Sequence, residues 1–244
     1  MVRRHYPNAP IKEAIIDVHV EPGPDATVES LAKIGDLVKV TYPHRDALFE
    51  RQISLGVSEA SSTQKTIGYR FTSEDRKQIV QCGLNGFAFS RLAPYETWED
   101  MRIEAERLWN MYVHVVHPPK VIRLAVRCIN QLDLPLPFRD FREYIRTVPD
   151  VSPDLPQGLS GYFMQLQIPQ DDIQGMLILN ETMVPPSNPT VVSVVLDIDV
   201  FKTNLMLSLD NSDRMIWEEL ETLHVKRNQV FENCVTDKMR ELFN

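Results

Sequence analysis

Five charged or titratable side chains alternate with apolar residues in two separate segments of the sequence. Glu13, Asp17 and His19 lie in the first segment, and Arg123 and Arg127 lie in the second. Arginine suits bidentate recognition of carboxylate or phosphate groups. These five residues are therefore the candidate ligand-binding residues, with the arginines holding an anionic group and the others tuning the site. The alternative, which stays open, is a set of ion pairs on a solvated sheet face.

Two further carboxylates form an Asp-x-Asp pair, Asp197 and Asp199, on the polar side of a predicted strand. This spacing suits a hard cation such as Mg²⁺. Together with Glu13 and Asp17 they could hold the cation while the arginines bind phosphate, which would make the protein a metal-dependent phosphohydrolase or nuclease-like enzyme. Two solvated carboxylates on a strand are the alternative interpretation.

Other signatures of catalysis are missing from the sequence. It has no Gly-rich phosphate loop, Gly-x-Ser-x-Gly elbow or His-Glu-x-x-His motif. His114 and His117 have a helical spacing that could ligate a metal. Their position before Pro118-Pro119 instead favours the end of a helix, where they complement its dipole. No cofactor is therefore predicted.

Two strands are expected to position the candidate binding residues. Apolar and polar residues alternate from Ile11 to Val20 and again from Val121 to Leu132. Antiparallel pairing of these strands across a pseudo-twofold axis places Glu13 opposite Arg127. The same register places Asp17 opposite Arg123, so that opposite charges from the two strands meet on one face.

The order of predicted elements recurs along the chain. Each half begins with such a strand and ends on an amphipathic helix that opens at Trp98-Glu99-Asp100 or at Trp217-Glu218-Glu219. We therefore predict an α+β fold of duplicated β-α-β(n)-α units, residues 1–118 and 119–244, fused into one globular unit. These units should form a large, mainly antiparallel curved sheet with long helices packed on one face and polar residues on the other.

Three further elements have local sequence signals. Thr27 is expected to cap a helix that starts directly after it. Asn85-Gly86, between two alternating segments, predicts a hairpin with a type I′ turn, whose two central φ angles are positive. A last helix is expected from about Asp213 towards Phe243, with Thr236 as the alternative cap of a separate final turn.

The composition excludes several classes of protein. The formal net charge is −8, from 34 acidic and 26 basic residues, so duplex nucleic acid is an unlikely partner. No apolar run approaches the roughly 20 residues that span a bilayer. The three cysteines are scattered, which is typical of reduced core residues in a cytoplasmic protein. A homo-oligomer remains possible.

The first functional interpretation is a non-enzymatic cytoplasmic protein that binds a small ligand or a protein partner. Its binding surface would be the polar central face of the sheet, which contains Arg123 and Arg127. The support comes from the missing catalytic signatures and from the polar side chains that converge on the predicted pseudo-twofold axis.

Several short segments of the sequence resemble one protein family. They are the opening Tyr6-Pro7-Asn8-Ala9-Pro10, then Tyr69-Arg70-Phe71, Tyr95-Glu96-Thr97-Trp98, Arg127-Cys128-Ile129-Asn130 and the final Arg240-Glu241-Leu242-Phe243. Over nearly the whole chain they resemble an uncharacterised, sporadically distributed family of bacterial proteins, although Cys128 replaces the common tyrosine.

The resemblance implies no activity, cofactor or catalytic residue. Patchy distribution implies genes that travel horizontally, as toxin–antitoxin and phage-defence components do. A third interpretation is therefore a subunit of such a complex that acts through its long C-terminal helix. In topology alone, the order of elements resembles the TATA-binding-protein-like and helix-grip folds.

Overall fold

The computed structural model of the protein describes residue 4 and residues 6–55, 60–209 and 213–244. Nine strands occur in these residues: β1 (Ile11–Val20), β2 (His44–Leu55), β3 (Ala60–Thr72), β4 (Gln78–Gly83), β5 (Gly86–Leu92), β6 (Lys120–Pro135), β7 (Phe163–Gln170), β8 (Gly175–Val184) and β9 (Val191–Ser208). They form one sheet in the order β2-β3-β4-β5-β1-β6-β9-β8-β7. Every neighbouring pair is antiparallel.

Four α-helices are found in the same residues: α1 (Val28–Val38), α2 (Trp98–Val116), α3 (Asp213–Cys234) and α4 (Asp237–Glu241). Phe141–Glu143 and Asp171–Ile173 form 3₁₀ turns. The fold is therefore α+β with one large antiparallel sheet, as predicted. Within the part of the chain that is described, no helix combines the length and the apolarity needed to cross a membrane.

Threonine caps begin three of the helices. Thr27, Thr97 and Thr236 each accept a hydrogen bond from the backbone N–H three residues later, the usual way to satisfy a free donor at a helix start. The cap at Thr236 starts a separate last helix, which confirms the second of the two predicted endings. Helix α3 packs against β6 and β9, whereas α1 contacts β3 and β4, and α2 contacts α1 and β5.

The sheet has one core face and one polar face. The core face carries Ala14, Ile16, Val18 and Val20 of β1, all of them buried. This confirms the predicted alternation, because successive residues of a strand point to opposite faces. The three cysteines are buried and unpaired.

Strands β1 and β6 are neighbours at the centre of the sheet, as predicted, but the predicted register is wrong by two residues. Ile15, rather than Glu13, lies opposite Arg127, and His19, rather than Asp17, lies opposite Arg123. A shift of two residues keeps every side chain on the same face, so the apolar pattern fixes the face but not the register. Irregularities at Ile11/Glu13 and at His19/Val20 accompany the observed pairing.

The predicted hairpin forms, but its predicted turn is wrong. Gly83 pairs with Gly86, so the two-residue loop consists of Leu84 and Asn85. Neither Asn85 nor Gly86 has a positive φ, as a type I′ turn would require. Gly86 instead continues the ladder with β1, and the Asn85 carbonyl accepts a hydrogen bond from the Val20 N–H.

Candidate functional site

Three central strands bring charged side chains together on the polar face. Strand β6 lies between β1 and β9, so Arg127 is opposite Ile15 on one side and Asp199 on the other. We call the following residues the central cluster: Glu13, Asp17, His19, Arg123, Arg127, Asp197 and Asp199. All of them lie on the polar face because they occupy odd-numbered positions in the paired ladders.

Arg127 forms the best-matched ion pair of the central cluster. Its Nε and Nη2 each lie 2.7 Å from one carboxylate oxygen of Asp197. This bidentate bond raises the pKa of the Arg127 guanidinium, with desolvation acting against it. The Asn180 amide donates a further hydrogen bond of 3.0 Å to Asp197 Oδ2. Asp197 is only 5% exposed, whereas the Arg127 side chain is 41% exposed.

Arg123 bridges two carboxylates from the strands on either side of it. Its Nη1 donates to Asp17 Oδ1 at 2.5 Å, and its Nη2 donates to Asp199 Oδ2 at 3.3 Å. The guanidinium carbon lies 4.7 Å from the ring centroid of Phe201, a cation–π distance. Arg123 thus ties β1 to β9 across β6.

Asp199 is the member of the central cluster that has a buried oxygen atom, Oδ1, without a hydrogen-bond partner among the described residues. Burial raises the pKa of Asp199, while Arg123 and Arg127 act in the opposite direction. Its weak contact with Arg123 leaves this carboxylate with unused acceptor capacity.

The remaining candidate residues lie at the edge of these ion pairs. His19 Nε2 is 3.1 Å from Asp17 Oδ1, and the His19 side chain is exposed. Glu13 is half-buried and lies opposite Leu92 and Ile129. No described residue forms an ion pair or hydrogen bond with its carboxylate, so the predicted pairing of Glu13 with Arg127 does not occur.

The geometry does not assemble a metal centre from the described residues. No group of three or more His, Cys, Asp or Glu side chains among them is placed to hold a metal ion. Both oxygens of Asp197 accept from Arg127, and one oxygen of Asp199 accepts from Arg123. His114 and His117 have ring centroids 6.1 Å apart at the end of α2.

Two contributors to the site are missed by reasoning from sequence. Asn180 lies directly opposite Asp197 in the β8–β9 ladder, and Phe201 provides the aromatic surface under Arg123. Neither belongs to a local motif. The alternation of polar and apolar residues along each strand indicates the sheet face of Asn180 and Phe201, but it does not indicate which residues lie next to them.

A second unusual carboxylate lies on the core face. Glu181 is 0% exposed, and its Oε1 accepts a 2.5 Å hydrogen bond from the Tyr162 hydroxyl. Its Oε2 has no hydrogen-bond partner among the residues that the structure describes. Burial raises the pKa of Glu181 to about 7, although the Tyr162 hydrogen bond lowers it.

Comparison of the chain with known protein families and with curated proteins finds no match.

Proposed function

We propose that the protein is a non-enzymatic cytoplasmic binding protein whose central cluster holds a small ligand or a segment of a protein partner. The support is the convergence of charged side chains from β1, β6 and β9 on one face. Four carboxylates, those of Glu13, Asp17, Asp197 and Asp199, face only two guanidiniums, those of Arg123 and Arg127. A partner that brings positive charge and N–H donors complements this surplus.

The single observation that carries the proposal is the unpaired Oδ1 of Asp199. A buried carboxylate oxygen without a donor is costly, so a ligand that donates to it would gain free energy. The Arg123–Asp199 contact is long, at 3.3 Å, and its opening would give a donor access to this carboxylate. An anionic ligand would instead compete with Asp197 for Arg127.

We also propose that residues 1–118 and 119–244 are duplicated units and that the long helices α2 and α3 cover the core face. In each half the first strand pairs with the last, and the other strands follow outward: β1-β5-β4-β3-β2 and β6-β9-β8-β7. This shared order supports a duplication. The relation to the sporadic bacterial family is part of the same proposal and rests on the short sequence segments.

Thermal unfolding with charged probes tests the proposed function. Spermidine and a lysine-rich peptide are the cationic probes, and inorganic phosphate at equal ionic strength is the anionic probe, because salt screens surface charges. We expect the cationic probes to raise the Tm of the wild-type protein, since a ligand that binds only the folded state stabilises it. The shift should be lost in Asp199→Asn.

The matched control is Asp46→Asn, which removes one charge from the exposed Asp46–Arg70 pair on the same face. This variant should retain the Tm shift. Urea unfolding of both variants without a probe checks that each is folded. A Tm shift with phosphate alone, or a cationic shift that survives in Asp199→Asn, would contradict the proposal.

A further inference from the structure

An open surface cavity of about 450 Å³ lies on the core-face side of β4 and β5, on the opposite face of the sheet from the central cluster. Its walls come from the α1–β2 connection, the β3–β4 turn, β4, β5 and α2. The lining residues used below are Tyr42, Asp75, Gln78, Arg91 and Glu104. The volume is within the range of small-molecule sites, and polar groups from five segments of the chain line it.

Arg91 provides the cationic wall of this cavity. It lies directly opposite Gln78 in the β4–β5 ladder and opposite Ala14 in the β1–β5 ladder, so it points to the core face. Its side chain is only 16% exposed. Glu96 is its one hydrogen-bond acceptor within the described residues, at 3.2 Å, and Glu96 itself is mostly exposed.

A guanidinium has five N–H donors, so Arg91 keeps several donors for another acceptor. Glu104 does not accept a hydrogen bond from these Arg91 donors. Its carboxylate is held by Arg107, whose Nε and Nη2 donate at 2.8 and 2.6 Å, and Tyr42 lies 2.7 Å away. The free donors of a largely desolvated guanidinium favour a planar carboxylate, which can accept two of them in parallel.

Another part of the cavity rim, in the β3–β4 turn, is acidic. Asp75 Oδ1 accepts hydrogen bonds from the Ser73 hydroxyl at 2.6 Å and from the Lys77 N–H at 3.0 Å. These bonds lower the pKa of Asp75, the bond from Ser73 most of all. Its Oδ2 has no partner among the residues described. Glu74, whose Oε2 lies 3.9 Å from His44 Nε2, adds a second, exposed carboxylate to this rim.

Hydrogen bonds within the β3–β4 turn hold Asp75 in place. Ser73 and Gln78 are joined through the Ser73 N–H and through the Ser73 hydroxyl, and Arg76 has a φ of 58°. Asp75 is thus a held part of the wall, whereas the Glu74 side chain is exposed.

We infer that this cavity is a binding site for a small zwitterion, specifically a free α-amino acid. The carboxylate of the ligand would lie against Arg91, and its ammonium group would face Asp75 and Glu74. A simple anion would meet the acidic rim, and a simple cation would meet Arg91, so only a ligand with both charges complements both walls. The site is separate from the central cluster and does not depend on its function.

Amide chemical shifts of the ¹⁵N-labelled full-length protein test this inference. Each of the twenty amino acids is added at about 10 mM, which populates even a millimolar site. Acetate and methylammonium serve as probes that carry one charge each. We expect at least one amino acid to shift the amides of Asp75 and Gln78, with an affinity at least about tenfold higher than that of either single-charge probe.

Variants test the contributions of Arg91 and Asp75 to binding separately. Arg91→Lys keeps the charge but loses the planar pair of donors, and we expect it to weaken binding about tenfold. Asp75→Asn should weaken binding of the amino acid without affecting acetate. Arg70→Lys is the matched control, because Arg70 lies on neighbouring β3 but on the polar face, and it should leave binding unchanged.

Three results would overturn the inference. They are the absence of amide shifts with every amino acid, equal binding of acetate, and full binding by folded Arg91→Lys. The number of resolved amide signals reports whether each variant is folded. None of these results bears on the central cluster, whose test uses other probes and other variants.

Discussion

Two carboxylates are buried on opposite faces of the same sheet, and they are accommodated in different ways. Asp197 of β9 lies on the polar face and receives two hydrogen bonds from Arg127 and one from Asn180. Glu181 of β8 lies on the core face and receives one hydrogen bond, from Tyr162. Asn180 and Glu181 are adjacent in sequence, so a single strand contributes to both environments.

The difference shows how each face of the sheet compensates the charge of a buried carboxylate. On the polar face a guanidinium matches the charge of Asp197, and the exposed side of Arg127 remains in water. On the core face no described cation hydrogen-bonds Glu181, and one of its oxygens has no partner. Burial raises the pKa of Glu181 to about 7, so below that pH a bound proton takes the place of the missing cation.

The largest effect is expected when Asp197 loses its cation. Arg127→Met removes both charge-assisted bonds and leaves a carboxylate that is 5% exposed with only Asn180. Breaking a buried pair in this way costs several kcal/mol, and the partial exposure of Arg127 places the expected loss at about 3 kcal/mol. Urea unfolding at pH 7 measures it.

The double variant Arg127→Met/Asp197→Leu is the control for this prediction. It removes the buried charge of Asp197 as well as the guanidinium of Arg127, so it should recover most of the stability that Arg127→Met loses. If the double variant is less stable than Arg127→Met alone, the loss reflects packing of the arginine stem, and the comparison between the two acids fails.

Glu181 is expected to make stability fall as the pH rises. Its pKa in the folded protein, about 7, exceeds the reference value of 4.5, so the folded state binds more protons between these values. The stabilisation is complete below pH 4.5 and is lost as the pH rises towards 7. The shift of about 2.5 units corresponds to at most about 3 kcal/mol, and local relaxation should reduce it to about 2 kcal/mol.

Glu181→Gln tests this pH dependence. Glutamine keeps the shape but cannot ionise, so at pH 8 the variant should be more stable than the wild type by about 2 kcal/mol, and at pH 4.5 about equal to it. Cys234, which lies near Glu181, has a pKa raised to about 11 by burial and does not ionise in this range. A wild-type profile that the variant reproduces between pH 4.5 and 8 would show that Glu181 is not the titrating group.

Tyr162→Phe probes the single hydrogen bond of Glu181 and should have a smaller effect. Loss of the hydroxyl costs about 1 kcal/mol, the usual net value of one hydrogen bond. It also removes the interaction that lowers the pKa of Glu181 in the folded protein, so the fall in stability should still begin near pH 4.5 but extend to higher pH. An unchanged pH profile would mean that the 2.5 Å contact contributes nothing to the titration.

The strands and their buried faces could be predicted because apolar residues at every second position mark the side of a strand that faces the core. Strand β1 has the predicted limits, Ile11–Val20, and its apolar residues are buried as expected. The register between β1 and β6 could not be predicted, since a shift of two residues preserves every apolar pairing. The turn at Leu84–Asn85 differs from prediction because Gly86 is used by the ladder with β1.

The shared face of the candidate residues could be predicted, but most of their partners could not. The sequence pattern offers Asp197 and Asp199 as cation ligands, whereas the fold places both beside arginines because β9 lies next to β6. Nothing local in the sequence encodes that neighbour relation. The different surroundings of Asp197 and Glu181 also depend on which strands are neighbours in the sheet.

The smallest effect is expected at the Asp46–Arg70 pair, which lies on the polar face like Arg127 but near the edge of the sheet. Both side chains are about half exposed, and Arg70 Nη2 is 3.0 Å from Asp46 Oδ2. Arg70→Met should therefore cost at most about 0.5 kcal/mol, as exposed ion pairs usually do. Arg70 is four strands from Arg127, about 19 Å at the usual strand spacing, so the two losses should add. A cost at Arg70 equal to that at Arg127 would mean that burial of the acid, the basis of the comparison, does not determine the strength of these pairs.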